Sequence, residues 1–473
     1  MIKACDVAII GAGPAGANAG MIAASNGCET IIIDEQAKPG GQIWRAKSEA
    51  IISAPNTPET IKGDILRASI AASNVTHIAD ARVWQIEREL GKWALHLIIN
   101  GRSEKIVAKV LILATGAREY VQPTPGWTLP GVIGLAGATA LIKQDMVIPG
   151  KKTVVSGTGP LIFYVASEIR RLGGEIAAIV TPNSRVDWMC ALPSMFSRTD
   201  LLWRGFVWVA DLLLSGTPIF WRHLVTQIDG ETNVQSVTVT KVSNDWSPQD
   251  KKRLIDADSV CIGYGLQAAT EASQIAGIEL KNQPELGGWV PEVGENGETG
   301  MGGLFVCGDG AGIRGAAAAE IHGKLVGISA AELVTSKANL TKAALLTSFR
   351  RASTFGMAMT ALSTPRKGLQ KLTTDDTIMC RCESLRRCDI EHEMEAGAAT
   401  INAIKSGSRA GMGPCGGKYC QAAIAKLIAE KENLSEAEIA PPSPRPPLRP
   451  IPASALSGEF EYEDLPIPKP APL

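Results

Sequence analysis

Apolar residues 7–10 run into the spaced glycines of GAGPAGANAG and then into a stretch of small residues that includes Ala17, Ala19 and Ala23. This order predicts a strand, a tight turn and a helix, and the apolar segment ETIIID adds a second strand ending at Asp34. Residues 51–75 read as a surface helix, and the alternation in WQIERELGKWALHLII predicts a small antiparallel hairpin insertion over 83–107. KVLILATGARE (109–119) reads as a buried strand ending in a Thr-Gly turn, and PTPGWTLPG as the exit from a first domain. The strand–turn–helix pattern recurs from Thr153 in TVVSGTGPLIFYVASEIRRLGG, followed by a strand in EIAAIVTPNS and further strands near 234–242 and 259–263. GGLFVCGDGAGIRGAAAAEIHGKLVG then supplies another buried strand, a Gly-Asp turn and a glycine-rich helix start, so the chain returns to its first domain.

The first glycine turn has the chemistry of a dinucleotide loop. Gly11 permits the turn, Gly13 lets backbone approach a pyrophosphate, and Gly16 allows close helix–strand packing, with Pro14 and Ala15 in the same loop. Asp34 stands about 20 residues on, where such folds place the acid that binds a ribose hydroxyl, and Glu35 is the alternative. Pro39, Gly40, Gly41 and Gln42 form a second cofactor-lining loop, and Thr115 and Gly116 end the next strand. Asp309, after Gly308, is placed to accept from a ribityl hydroxyl, while the helix opening at 312–315 points NH groups at an electron-rich ring. The second copy is degenerate. Gly157 and Gly159 are present, but Ile162 replaces the third glycine, where it should push the helix off the strand, and Thr181 stands where the acid belongs. A retained fold without NAD(P) is expected there.

A length of 473 residues suggests about three domains. A hydrophobic fraction of 45% is globular, and a net charge of −1 gives no electrostatic case for nucleic acid. Residues 187–223 are apolar and carry Trp188, Trp203, Trp208 and Trp221, but Arg204 and Asp211 break any window of about 18 apolar residues, so no transmembrane segment is expected. That stretch is either a docking face or a buried pair of helices. The short apolar run at the N-terminus suits neither a signal nor a transit peptide, and a cytoplasmic location is expected. The histidines make no HExxH, GxSxG is absent, and no CxxC dithiol accompanies the nucleotide loops, so hydrolase and disulfide-reductase chemistry lack support. Cys5, Cys28, Cys261 and Cys307 lie in or beside apolar strands, as small buried hydrophobes do.

The late cysteines form a separate module. Cys380 and Cys382 are spaced CxC, and Cys415 and Cys420 frame CGGKYC in a glycine-rich loop. Four thiolates with flanking NH groups suit a 2Fe-2S centre, and Arg381, Lys405, Arg409 and Lys418 are available to offset its charge. Structural zinc is the rival, although its pairs usually follow C-x2-4-C spacing, and Cys388 is left over. Eleven prolines in residues 441–473 predict an extended tail, either disordered or lying along a partner or the chain's own body.

The set GAGPAG, DE, PGGQIWR, ATGARE, PGWTLPGV, GTGPL and VCGDGAGIRGAAAAE resembles the flavoproteins with two dinucleotide-binding domains. With RCESL and GMGPCGGKYC added, the chain is similar to the A-type flavoprotein subunits of the opine oxidases and to the equivalent flavoprotein subunits of hydrogen cyanide synthase and D-hydroxyproline dehydrogenase. The last module resembles bacterioferritin-associated ferredoxin (BFD) domains, with CGGKYC in place of their closing CxxC. The resemblance implies an α/β, glutathione-reductase-like fold: an FAD domain over 1–119 and 273–345, a degenerate NAD(P)-binding-like domain over 120–272, a BFD-like 2Fe-2S domain over 374–432 and a Pro-rich tail over 433–473. It further implies FAD at the first glycine site and 2Fe-2S on Cys380, Cys382, Cys415 and Cys420. Catalysis is then expected on a second flavoprotein subunit resembling D-amino-acid oxidase, with this chain relaying electrons to a downstream acceptor. An NAD(P)H-dependent reductase is the alternative.

Overall fold

The computed structural model describes residues 2–51, 53–336 and 342–456. Among these, the strands Val75–Ile78, Thr30–Ile33, Ile2–Ile10 and Arg102–Leu113 pair in parallel in that order, and Leu304–Val306 pairs with the carboxyl-terminal half of Arg102–Leu113. The expected hairpin is a three-stranded meander. Arg82–Glu89 and Lys92–Ile99 pair antiparallel with each other, and Lys92–Ile99 continues onto the amino-terminal half of Arg102–Leu113. One twelve-residue strand therefore serves a parallel and an antiparallel neighbourhood, and the insertion belongs to the main sheet. Its inward positions Trp93, Leu95 and Leu97 are buried.

The second glycine turn opens another parallel sheet, ordered Ile219–Trp221, Glu175–Thr181, Lys152–Gly157, Ser259–Gly263 and Val132–Gly134, with a three-stranded meander beside it. Two short strands, Ala117–Glu119 and Leu266–Ala268, pair antiparallel where the chain crosses between the units. The cysteine module is a small hairpin, Ile378–Cys380 with Leu385–Arg386, and three helices, Arg387–Glu395, Ile401–Ser408 and Gln421–Lys431, closed around Met379, Ile390, Ile404, Ile424 and Ile428.

This module is fastened down. Trp127 donates its indole NH to Ile378 O at 2.7 Å, the Lys426 ammonium lies 4.8 Å from the Tyr120 ring centroid, and Leu369 and Leu372 on the connecting segment are buried in the second unit's core. The tail lies on the chain's own body as far as Pro450. Leu448 N donates to Trp84 O at 2.9 Å, at a bulge that leaves this carbonyl out of the ladder, and Arg82 donates to Pro450 O at 3.0 Å. Phe460 and Tyr462 fall outside the described residues.

The tryptophan-rich stretch divides between its two expected fates. Trp188, Trp208 and Trp221 pack against the second unit's core, whereas Phe196, Trp203 and Phe206 are about 60% exposed or more, with Trp203 and Phe206 stacked at 5.5 Å. Among the described residues, no helix is long and apolar enough to cross a membrane.

Replacing Trp127 with Phe removes the tie to Ile378 O while keeping an aromatic ring. The expected result is a loss of about 1 kcal/mol in denaturant unfolding and faster amide exchange around 378–380, with the flavin site undisturbed.

Candidate functional site

The parallel register decides where the first site forms. Ile10 is level with both Ile33 and Leu113, and Leu113 is level with Val306. Gly11 N donates to Ile33 O (2.8 Å), Ala114 N to Ile10 O (2.9 Å) and Cys307 N to Leu113 O (2.9 Å), so four turns leave the sheet along one carboxyl edge. Ligands of open α/β sheets bind at that edge. The helix Pro14–Ser25 starts there, and its first-turn NH groups lack helical acceptors. A Cβ on Gly16 would stand 1.9 Å from Gly11 O, so only glycine lets the helix come this close to the turn. The Pro39–Gly41 loop folds over it, with Gly40 N on Ala12 O (2.9 Å), Arg67 clamping Pro39 O and Trp44 O, and Gly41 facing Gly13.

Several polar groups are used differently from expectation. The Asp34 carboxylate accepts from Ala12 N and, at 2.7 Å, from Gln36 N, which closes the turn and leaves lone pairs for a ribose hydroxyl. Burial raises its carboxyl above the ordinary value and the two NH groups pull it back. Glu35 is exposed and held at 2.9 Å by Arg449 of the tail. Asp309 Oδ1 accepts from Arg314 N (3.0 Å) and Gly315 N (2.9 Å), so two NH groups expected to face a ring face this carboxylate instead, and the helix starts at Ala316. Thr115 ties the turn to Ala269 O at 2.8 Å, with Gly116 O accepting from Ala269 N, and exposed Gln42 accepts from Arg45. His322 has a role that no sequence motif marks. Its Nδ1 accepts from Gly308 N at 3.2 Å and its ring stacks on Phe349, while burial lowers it to about 3, so it is a neutral support for the Gly-Asp turn.

Between the two dinucleotide-type units lies a cavity of about 1170 Å³ with Trp44, Glu119, Tyr264 and Gly315 on its walls. Ile162, expected to push its helix off the strand, is fully buried beside Val155 and Ile179 and absorbed into the core. The obstruction comes from the helix Lys342–Ser363, not expected from the sequence although Phe349, Ala352, Gly356 and Thr360 recur at helical spacing on its buried face. Its end lies on the second glycine turn. A Cβ on Gly159 would stand 2.3 Å from Ser363 Oγ, Asn183 donates to Leu362 O at 2.9 Å, and Arg366 pairs with Asp187 at 2.7 Å. The end of this helix thus lies against Gly159 of the turn that a pyrophosphate would use, while Thr158 and Pro160 line the cavity.

In the cysteine module, the Cys380 and Cys420 thiols are hydrogen-bonded to each other and buried, and Cys382 with Cys415 forms a second, more exposed pair. The Cys420 hydrogen bond, helped by NH groups of Gly411, Glu383 and Cys382, lowers Cys380 to about 5, while the same partnership pushes Cys420 up. A tetrahedral zinc with bonds of about 2.3 Å would set all four sulfurs roughly 3.8 Å apart. Among the described residues, the one group of three metal-ligand atoms within 4.8 Å of one another is Glu87, Glu89 and His96, so the thiols form two pairs and not one tetrahedron. Two thiolates per iron is the arrangement a 2Fe-2S centre takes, and NH groups aimed at sulfur suit it. In the acid–His group, Lys105 pairs with Glu89 and His96 is hydrogen-bonded to Glu87 at 2.6 Å. Lys418 donates to Cys415 O at 2.9 Å, whereas Arg409 is drawn away to Glu383 at 3.1 Å.

Two outcomes follow from these geometries. Burial raises the Glu119 carboxyl from 4.5 to about 7, against the NH groups of Ala136 and Leu135. A carboxyl raised on folding contributes stability that is full below its unfolded value and lost as pH climbs through the folded one. Glu119→Gln should therefore gain about 2 kcal/mol relative to the parent between pH 5 and pH 8, measured by urea unfolding. Gly16→Val should abolish flavin retention, read from the absorbance of the purified protein.

Residues 5–323 match the model of the pyridine nucleotide-disulphide oxidoreductase family, and residues 378–430 match the BFD-like [2Fe-2S] binding domain. The opine oxidase A-type subunit of Agrobacterium tumefaciens (strain Ach5) is 29% identical over 96% of this chain and 91% of its own length. Hydrogen cyanide synthase subunit HcnB of Pseudomonas aeruginosa is 29% identical over 95% and 97%. L-proline dehydrogenase from P. horikoshii shares the fold, with a TM-score of 0.72 at 20% identity over 96% of this chain and 80% of that one. The chain belongs to the pyridine nucleotide-disulphide oxidoreductase family and carries a BFD-like [2Fe-2S] domain at its carboxyl side.

Proposed function

We propose that this chain is the FAD and 2Fe-2S electron-transfer subunit of a multi-subunit opine oxidase or dehydrogenase, which cleaves octopine- or nopaline-type opines oxidatively to an amino acid and a keto acid. The observation that carries the reading is two carrier sites in one chain, the first glycine-turn edge and the four-cysteine module. An amine substrate needs a cationic fork for its carboxylate beside the flavin. The three arginines near the flavin loops are already engaged: Arg45 with Gln36, Gln42 and Gln144, Arg118 with Glu271, and Arg314 with Ala311 O and the Phe349 ring. FAD would be held by the Gly11–Gly16 turn, Asp34, Gly41, Thr115, Gly116 and Asp309, and the cluster by Cys380, Cys382, Cys415 and Cys420. Bound there, flavin supplies two-electron exchange and 2Fe-2S one-electron transfer, so the pair converts one into the other. The chain's own residues position these carriers and exclude water.

The partner is read as a flavoprotein subunit resembling D-amino-acid oxidase. The face formed by Phe196, Trp203 and Phe206 supports it, because stacked exposed aromatics of this kind are interface anchors. A downstream acceptor takes the electrons. Relatives named for hydrogen cyanide synthesis leave that chemistry, and D-hydroxyproline oxidation, as substrate alternatives. The NAD(P)H reductase reading is disfavoured by the helix end lying against the second turn, and the assembly is read as cytoplasmic.

The protein should purify with FAD and two irons per chain. Cys415→Ser should remove iron and leave the flavin, and zinc without iron under anaerobic preparation would refute the cluster. Opine oxidation with an artificial dye should require co-expression of the partner, and Trp203→Glu should reduce the partner's co-purification at least tenfold. Turnover by the isolated chain, or rapid bleaching of its flavin near 450 nm by micromolar NADH, would overturn the division of labour.

A further inference from the structure

The acid that ends the second strand meets a residue from the far end of the chain. Arg449 Nε lies 2.9 Å from Glu35 Oε1, and this pair sits at the carboxyl edge of the sheet, next to Asp34. The arginine is delivered by a short, well-fastened path. Leu448 donates its NH to Trp84 O and packs its side chain against the sheet's core, Pro450 O accepts from Arg82, and Ser443 reaches back to Asn402 of the cysteine module at 3.4 Å.

The charges explain what the contact does. Asp34 and Glu35 stand side by side, and the negative charge of Glu35 acts against ionisation of Asp34. A dinucleotide pyrophosphate brings further negative charge to the Gly11–Gly16 turn beside them. His77 and Arg45 also face Asp34, and burial lowers both. Arg449 is the cation in direct contact with Glu35, and Lys418 of the cluster loop lies close enough to feel Arg449, Arg118 and Glu271.

We propose that Arg449 is a positioning residue of the flavin site: by pairing with Glu35 it offsets the negative charge beside Asp34, the acid left free for the adenosine ribose. This rests on the FAD reading above and adds a residue that no motif of the first glycine site contains. The contact concerns only the adenosine half of the cofactor, so FAD and FMN should respond differently.

The test is flavin binding to flavin-stripped full-length protein, followed by fluorescence quenching, with iron content and cluster absorbance as the control that the rest of the chain is intact. Arg449→Ala should weaken FAD binding three- to tenfold and leave FMN within twofold, an effect of about 1 kcal/mol, as for a partly exposed pair. Arg449→Lys should restore at least half of the loss. Glu35→Gln with Arg449→Ala should bind FAD no more weakly than the weaker single variant, since each removes the same contact. Unchanged FAD affinity in Arg449→Ala, or equal losses for FAD and FMN, would overturn the proposal and leave the tail a cover for the sheet edge. A parent protein that binds no FAD at all would overturn the flavin site itself, and the role of Arg449 with it.

Discussion

The level register of Ile10, Ile33, Leu113 and Val306 is the constraint on which the remaining structure depends. Because these strands stop together, four turns open along one edge, and each must be small enough to leave room for the others. Gly16 fails at any larger size because Gly11 O lies in the way, and Gly323 meets the backbone of Ala15 in the same manner where the helix Ala316–Thr335 crosses Pro14–Ser25. A one-residue slip in any strand would reverse its buried side chains and remove its turn from the edge. The site therefore inherits its precision from the sheet core and not from contacts among its own side chains, several of which are spent on holding the turns closed.

The cysteine module depends on the second unit in a comparable way. Its hairpin hangs from Trp127, its last helix lies on Tyr120, and its connecting segment is buried with Trp246, so it has no freedom to swing between partners. Lys418 is the cation whose amine lies on the ligand loop itself, and its neighbours Arg118, Glu271 and Arg449 belong to other parts of the chain. The field at the more exposed Cys382–Cys415 pair is thus set jointly by the module, the first unit and the tail.

What could be read in the sequence divides along the range of the forces involved. The strand–turn–helix pattern at Gly11, the Gly-Asp turn at Gly308 and the late cysteines are local signals, but the structure pairs the cysteines crosswise, Cys380 with Cys420 and Cys382 with Cys415, which the CxC and CGGKYC spacings do not encode. The use made of Asp34 and Asp309 was not legible, because whether a carboxylate faces a ligand or a nearby NH depends on a few tenths of an ångström in the turn. The Arg449–Glu35 contact joins residues at opposite ends of the chain, and no pattern within either segment encodes it. The helix Lys342–Ser363 was legible in principle. Its buried positions Phe349, Ala352, Ser353 and Gly356 are mostly small, so its apolar stripe is faint beside those of the glycine-rich elements around it.

That helix also accounts for a second dinucleotide-type unit persisting with a helix end against its turn. The unit supplies the Tyr120 and Trp246 surfaces on which the cluster module rests, and it carries the Phe196, Trp203 and Phe206 face on its opposite helices. Once both roles are in place, the turn at Gly157–Gly159 is worth more as a socket for Ser363 and Leu362 than as an open anion site, since the socket fixes the chain's path from the first unit to the cluster. Opening it to a nucleotide would require moving the end of a 22-residue helix and breaking Arg366 from Asp187. A nucleotide could shift that equilibrium only by binding the open state more tightly than the closed state is held.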